Sequence, residues 1–105
     1  MVYDLNGEWD CLRVPYGSWS EYLDHKDFVK ITQKGAVFVG VQQEGKWIGK
    51  GEEVIRGELT KNGFKKVQVL TFLEGYLDCT SKISEDGNKI ILDDGEKLRV
   101  EMTRR

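Results

Sequence analysis

Glycine-bearing turn signals recur along the chain at short intervals, and this rhythm limits the fold more than any other feature. The tetrads QKGA (33–36), QEGK (43–46), KNGF (61–64), LEGY (73–76), EDGN (85–88) and DDGE (93–96) each place a residue tolerant of positive φ where a chain reverses. Between them run alternating or β-branched segments, the pattern of half-buried strands. They predict eight strands at about 5–14, 28–34, 36–42, 54–60, 64–73, 76–84, 88–93 and 96–104. Helices have little to draw on, because Ala36 is the one alanine against 12 glycines and alanine is the best helix former.

Eight consecutive antiparallel strands leave two exposed edges unless the sheet closes on itself, and closure removes both. The expected fold is therefore all-β: an eight-stranded antiparallel up-and-down barrel, preferred to a two-sheet sandwich, in a single domain over 1–105. Parity supports it. Leu77, Cys79, Ser81 and Ile83 alternate with Asp78, Thr80 and Lys82, and Leu98, Val100 and Met102 alternate with Lys97, Arg99 and Glu101. The same rule sends Leu5, Gly7, Trp9 and Cys11 inward, then Val29 and Ile31, then Ile55, Gly57 and Leu59, then Val67, Val69 and Thr71. The third strand, AVFVGV, is apolar on both faces, and its inward set stays open.

Composition narrows the partners. The 16 Lys and Arg against 18 Asp and Glu give a net charge of -2, which argues against nucleic acid or an anionic membrane. The apolar runs are too short for a bilayer span or a signal peptide, so a soluble, cytoplasmic protein is expected. Ten valines within 39% apolar residues are enough to build a core. Two cysteines without a CxxC motif, together with one histidine, exclude zinc ribbons and multi-histidine centres, and no metal or cofactor is expected. Cys11 and Cys79 fall on strands that are not neighbours in a meander, so free buried thiols are predicted.

The first strand carries Gly7 and Trp9 as a G-x-W, and the last ends near Arg104. In a closed antiparallel sheet these termini meet, and a guanidinium can stack on the indole. With these three residues the chain resembles the calycin superfamily: lipocalins, fatty-acid-binding proteins and avidin-like barrels. Segment 78–105 reads like the closing hairpins of small bacterial lipocalin-like domains. The resemblance implies a lipocalin-like barrel open at one end, with small apolar ligands as its usual cargo.

If Trp9 and Arg104 stopper one end, alternation sends the two longest connections, 15–27 and 43–53, to the other, where function tends to sit. They would bring Tyr16, Trp19, Tyr22 and Trp47 around one mouth, with His25 and Arg13 able to orient a polar head. The space left by Gly7 and Gly57 would favour a cavity bounded below by Leu59, Val69, Leu77 and Val100. The first reading is a module binding a small, mainly apolar ligand through Tyr16, Trp19, Tyr22, His25 and Trp47. The alternative is a structural or protein-interaction barrel with a filled core, including a possible homodimer. An enzyme using His25 or Arg13 is the least supported. No catalytic residue is assigned, because a loop histidine between Asp24 and Asp27 reads as solvated, and Glu52, Glu53, Asp93 and Asp94 read as turn charges rather than an acid–base pair. Lys61, Lys65 and Lys66 around Phe64 read as a charged hairpin tip.

Overall fold

The computed structural model describes residues 3–105. Eight strands form a closed antiparallel barrel in chain order, with the last paired to the first. They are β1 (Gly7–Pro15), β2 (His25–Lys34), β3 (Val37–Glu44), β4 (Glu53–Thr60), β5 (Gly63–Thr71), β6 (Gly75–Ile83), β7 (Lys89–Asp93) and β8 (Leu98–Arg104). A single 3-10 turn, Gly17–Trp19, interrupts the first long connection. No helix among the described residues is long and apolar enough to cross a membrane.

Each expected strand is present, and β2 starts three residues earlier than the sequence pattern suggests. His25 is therefore the first residue of β2, opposite Arg13 of β1, rather than part of a loop. Inward parity holds around the barrel: Trp9, Cys11, Val29, Ile31, Ile55, Leu59, Val67, Val69, Val100 and Met102 are buried. The ambiguous third strand turns Phe38, Gly40 and Gln42 inward and leaves Val37, Val39 and Val41 on the outer wall.

The end where the termini meet is closed. The Arg104 guanidinium lies 4.4 Å from the Trp9 ring centroid. Its nitrogens donate to the backbone oxygens of Asn6 at 2.9 Å, Asp4 at 2.7 Å and Gly87 at 3.1 Å. The Trp9 indole N–H donates to Leu5 O at 3.0 Å, so this stopper leaves neither ring nor fork unpaired.

The space expected at Gly7 and Gly57 is filled. Gly7, at a φ of 131°, has the Arg104 guanidinium 3.4 Å from where a Cβ would stand, and at Gly57 the Phe38 ring comes to 2.8 Å of that point. Phe38 in turn meets Phe64 edge-on at 5.8 Å, so Phe64 belongs to the packing of this end. Small residues on one strand thus accept large ones from the next, as close-packed interiors require.

Candidate functional site

At the opposite end the connections lengthen to 16–24 and 45–52, and the side chains they carry meet over one cleft. Trp19 and Tyr22 from the first connection, His25 from β2, and Trp47 and Ile48 from the second line a cavity of about 30 Å³. Its other walls include Arg13, Thr71, Phe72 and Leu98. Water needs roughly 10–15 Å³ per molecule on this measure, so the closed cavity holds about two waters. A wider groove of about 580 Å³ on the outer wall is lined by Val37, Val39, Arg56, Glu58, Lys65 and Lys66 among others. It is a solvent-facing trough along β3–β5 whose polar side chains pair with one another, Arg56 Nε with Gln68 Oε1 at 2.9 Å and Lys65 with Glu58 at 3.7 Å.

The aromatic wall is ordered ring against ring. Trp47 stacks on Phe72 with centroids 4.7 Å apart and planes 7° from parallel. Tyr22 meets Phe72 edge-on at 6.1 Å, and His25 meets Trp47 at 6.1 Å and 72°. Trp47, Phe72 and Leu73 remain 42%, 48% and 43% exposed, an unusual concentration of wet apolar surface for one rim. Lys97 lies 5.7 Å from the Trp19 ring, held by Glu74, Asp94 and Glu96 at 3.5, 3.8 and 3.6 Å.

Under the rings the interior turns polar. Arg13 and Asp27 are buried, and Arg13 Nε donates to Asp27 Oδ2 at 2.8 Å. Arg13 Nη1 donates to Leu70 O at 2.9 Å. Gln42, fully buried, donates from Nε2 to Ile48 O at 3.3 Å. Two buried side-chain oxygens among the described residues have no hydrogen-bond partner, Asp27 Oδ1 and Gln42 Oε1, and both lie here. Such orphans in a low-dielectric interior cost stability. Gly45 closes over them so tightly that a Cβ there would stand 1.7 Å from Gln42 Nε2 and 2.6 Å from Asp27 Oδ1.

Of the five residues predicted for the mouth, Trp19, Tyr22, His25 and Trp47 line this one cavity, and Tyr16 does not. β1 turns odd positions inward, so Tyr16 falls on the outward parity. Its hydroxyl donates to Asp93 Oδ1 at 2.6 Å, and that bond, ahead of burial, raises the phenol to about 12. Tyr16 fastens the loop to β7. Leu59, Val69, Leu77 and Val100, expected as the cavity floor, belong to or pack against the core cluster instead. Asp27 and Gln42 are the polar residues that sequence reasoning missed.

Burial lowers the His25 pKa below its usual 6.5, opposed by the nearby Asp27 carboxylate, so the imidazole is partly withdrawn from water rather than fully solvated. Burial also raises Cys11 and Cys79 to about 12; both are free thiols held far from the thiolate that nucleophilic chemistry needs. Burial pushes the Asp94 carboxyl up, yet N–H donors from Lys97, Leu98 and Glu96 outweigh that and hold it below the usual range. No group of three or more His, Cys, Asp or Glu among the described residues is arranged to hold a metal ion.

No family model, curated protein or solved structure matches this chain. The closed eight-stranded barrel is consistent with a calycin-like fold, and the likeness rests on that architecture with Gly7, Trp9 and Arg104.

Proposed function

We propose that the protein is a lipocalin-like binding module that takes a small, mainly apolar molecule at the mouth of its barrel, with Trp19, Tyr22, His25 and Trp47 forming the contact walls. The observation that carries this reading is the convergence of those four side chains, from two separate connections and one strand end, around a single cleft floored by Arg13. Binding clefts combine apolar walls with a few convergent polar groups, and Arg13 and His25 among the rings supply that combination here. At about 30 Å³ the closed cavity is far below the roughly 300 Å³ of a typical small-molecule site. Entry therefore requires the 45–52 connection to swing outward, carrying Trp47 off Phe72. Backbone bonds from Gln42 N–H to Glu52 O at 2.8 Å and from Gly51 N–H to Gln42 O at 2.9 Å anchor the base of this connection, and Gln42 Nε2 donates to Ile48 O at 3.3 Å, so the exposed tip at Lys46 and Trp47 has the fewest contacts to break on opening.

Titrating the intrinsic tryptophan fluorescence with fatty acids and hydrophobic dyes tests this reading. Saturable changes that disappear in Trp47→Ser support it, and a flat signal across the panel overturns it.

The small cavity also favours a second reading, in which a filled barrel docks a protein partner through Trp47, Phe72 and Leu73, or pairs with a second copy through the same rim. Light scattering after size exclusion separates them: a dimer that Trp47→Ser converts to monomer supports docking.

A further inference from the structure

The floor of the mouth identifies the polar end of its ligand. Arg13 and Asp27 are joined through one contact only, Nε to Oδ2 at 2.8 Å. Asp27 Oδ1 has no partner, and Arg13 Nη2, the third nitrogen of a guanidinium whose other two are used, bonds to nothing among the described residues. Gln42 Oε1 is a second orphan acceptor beside them. Arg13 lines the cavity beside Trp47, whereas Asp27 Oδ1 and the Gln42 amide lie just outside its lining, packed against Gly45 of the connection that carries Trp47. Lifting that connection would join the two buried acceptors to the cavity that Arg13 already lines.

The charges decide between head groups. Arg13 and Asp27 cancel, so a carboxylate would gain Arg13 but face Asp27, and an ammonium would gain Asp27 but face Arg13. In a buried site either leaves an excess charge that must be desolvated. At the rim, Lys97 is already engaged by three carboxylates, and Lys46, 5.6 Å from the Trp47 ring, is exposed, so its charge stays in water rather than in the buried floor. A neutral group that donates and accepts at once satisfies the orphans without adding charge. The stacked and edge-on rings above suit a flat π-face.

Resting on the binding reading above, the geometry points to an uncharged planar aromatic ligand bearing one hydroxyl or amide-like group that donates to Asp27 Oδ1 or Gln42 Oε1 and accepts from Arg13 Nη2. Apolar tails with an ionised head are the compounds this floor disfavours.

Four probes of matched shape test it: naphthol, naphthalene, naphthoate and naphthylmethylammonium, substituted at the same ring position and titrated into the intact protein at neutral pH. Backbone and indole N–H shifts of Trp19, Tyr22, His25 and Trp47 in nitrogen-edited spectra report both site and affinity. Naphthol is expected to bind about tenfold tighter than each of the other three, the scale on which a buried polar site rejects ligands that leave it unpaired. Naphthalene or an ionised probe binding as tightly as naphthol, at the same signals, overturns the head-group assignment while the cleft survives as a binding site. Silence from all four overturns both. In Asp27→Asn the guanidinium loses its counter-charge, and naphthoate is expected to overtake naphthol. An unchanged order in the folded variant also overturns the assignment. The wild-type series stands whether or not that variant folds.

Discussion

The two ends of this barrel are built from the same eight strands and solve opposite problems. At the closed end no connection exceeds five residues, Phe38 fills the space beside Gly57, and the Arg104 fork is bonded to the backbone at Asp4, Asn6 and Gly87. At the mouth the connections are long, apolar rings stand half in water, and both unpartnered buried oxygens of the described residues lie beneath them. The contrast shows where stability was built and where it was given up: local rules are satisfied at one end and broken at the other, and such breaches concentrate at functional sites.

The sharpest way to break that contrast is at Trp9. Trp9→Ala removes a fully buried indole from a region with no slack, and should cost about 3–5 kcal/mol in urea unfolding. A loss below about 1 kcal/mol would mean that the closed end is not the anchor of the fold.

Next comes the buried ion pair. Arg13→Leu strands the Asp27 carboxylate and should cost about 3 kcal/mol, whereas Arg13→Leu with Asp27→Leu should recover most of that loss. The double variant is the telling one. If it stays as unstable as the single variant, the pair is a structural element like the Trp9 stopper, and the mouth is not a region relieved of stability duty. Gly45→Ala follows at about 2 kcal/mol, because its methyl group would overlap Gln42 and force the connection outward.

Much of this architecture was legible in the sequence, for reasons that differ by residue. Turn glycines and parity are local rules, and they yield all eight strands and the closed sheet. Trp9 and Arg104 could be paired because closure brings the two termini together whatever lies between them. Inward parity was also available for Asp27, two residues before Val29, and against Tyr16, an even position after Arg13. A later start assumed for β2 hid the first, and the attraction of an aromatic loop hid the second. Gln42 could not be read, since AVFVGV is apolar on both faces and only the packing of Phe38 beside Gly57 sets its register. Whether the glycines left a void was equally illegible, because the filling side chains come from other strands.

A smaller effect sharpens the comparison at the rim. Trp47→Ser should change unfolding stability by no more than about 0.5 kcal/mol, since the ring is 42% exposed and surface changes seldom do more, yet it should abolish probe binding at the mouth. Equal losses of stability for Trp47→Ser and Trp9→Ala would erase the distinction between the ends.

The smallest expected effect is the pH dependence carried by His25. Burial depresses its pKa, Asp27 pulls it back, and Arg13 and Lys46 push it down further. The folded protein thus takes up this proton less readily than the unfolded chain, whose histidine titrates near pH 6.5. His25 contributes its full stabilisation above that pH, and the contribution is lost as the pH falls through the depressed folded value. Melting temperatures measured from about pH 7.5 down to about pH 5 should therefore fall more steeply for the wild type than for His25→Gln, which has no proton to take up there. Carboxylates shared by both proteins cancel in that difference. Parallel curves would mean that the imidazole is as well hydrated in the fold as out of it, and that water already reaches the floor of the mouth.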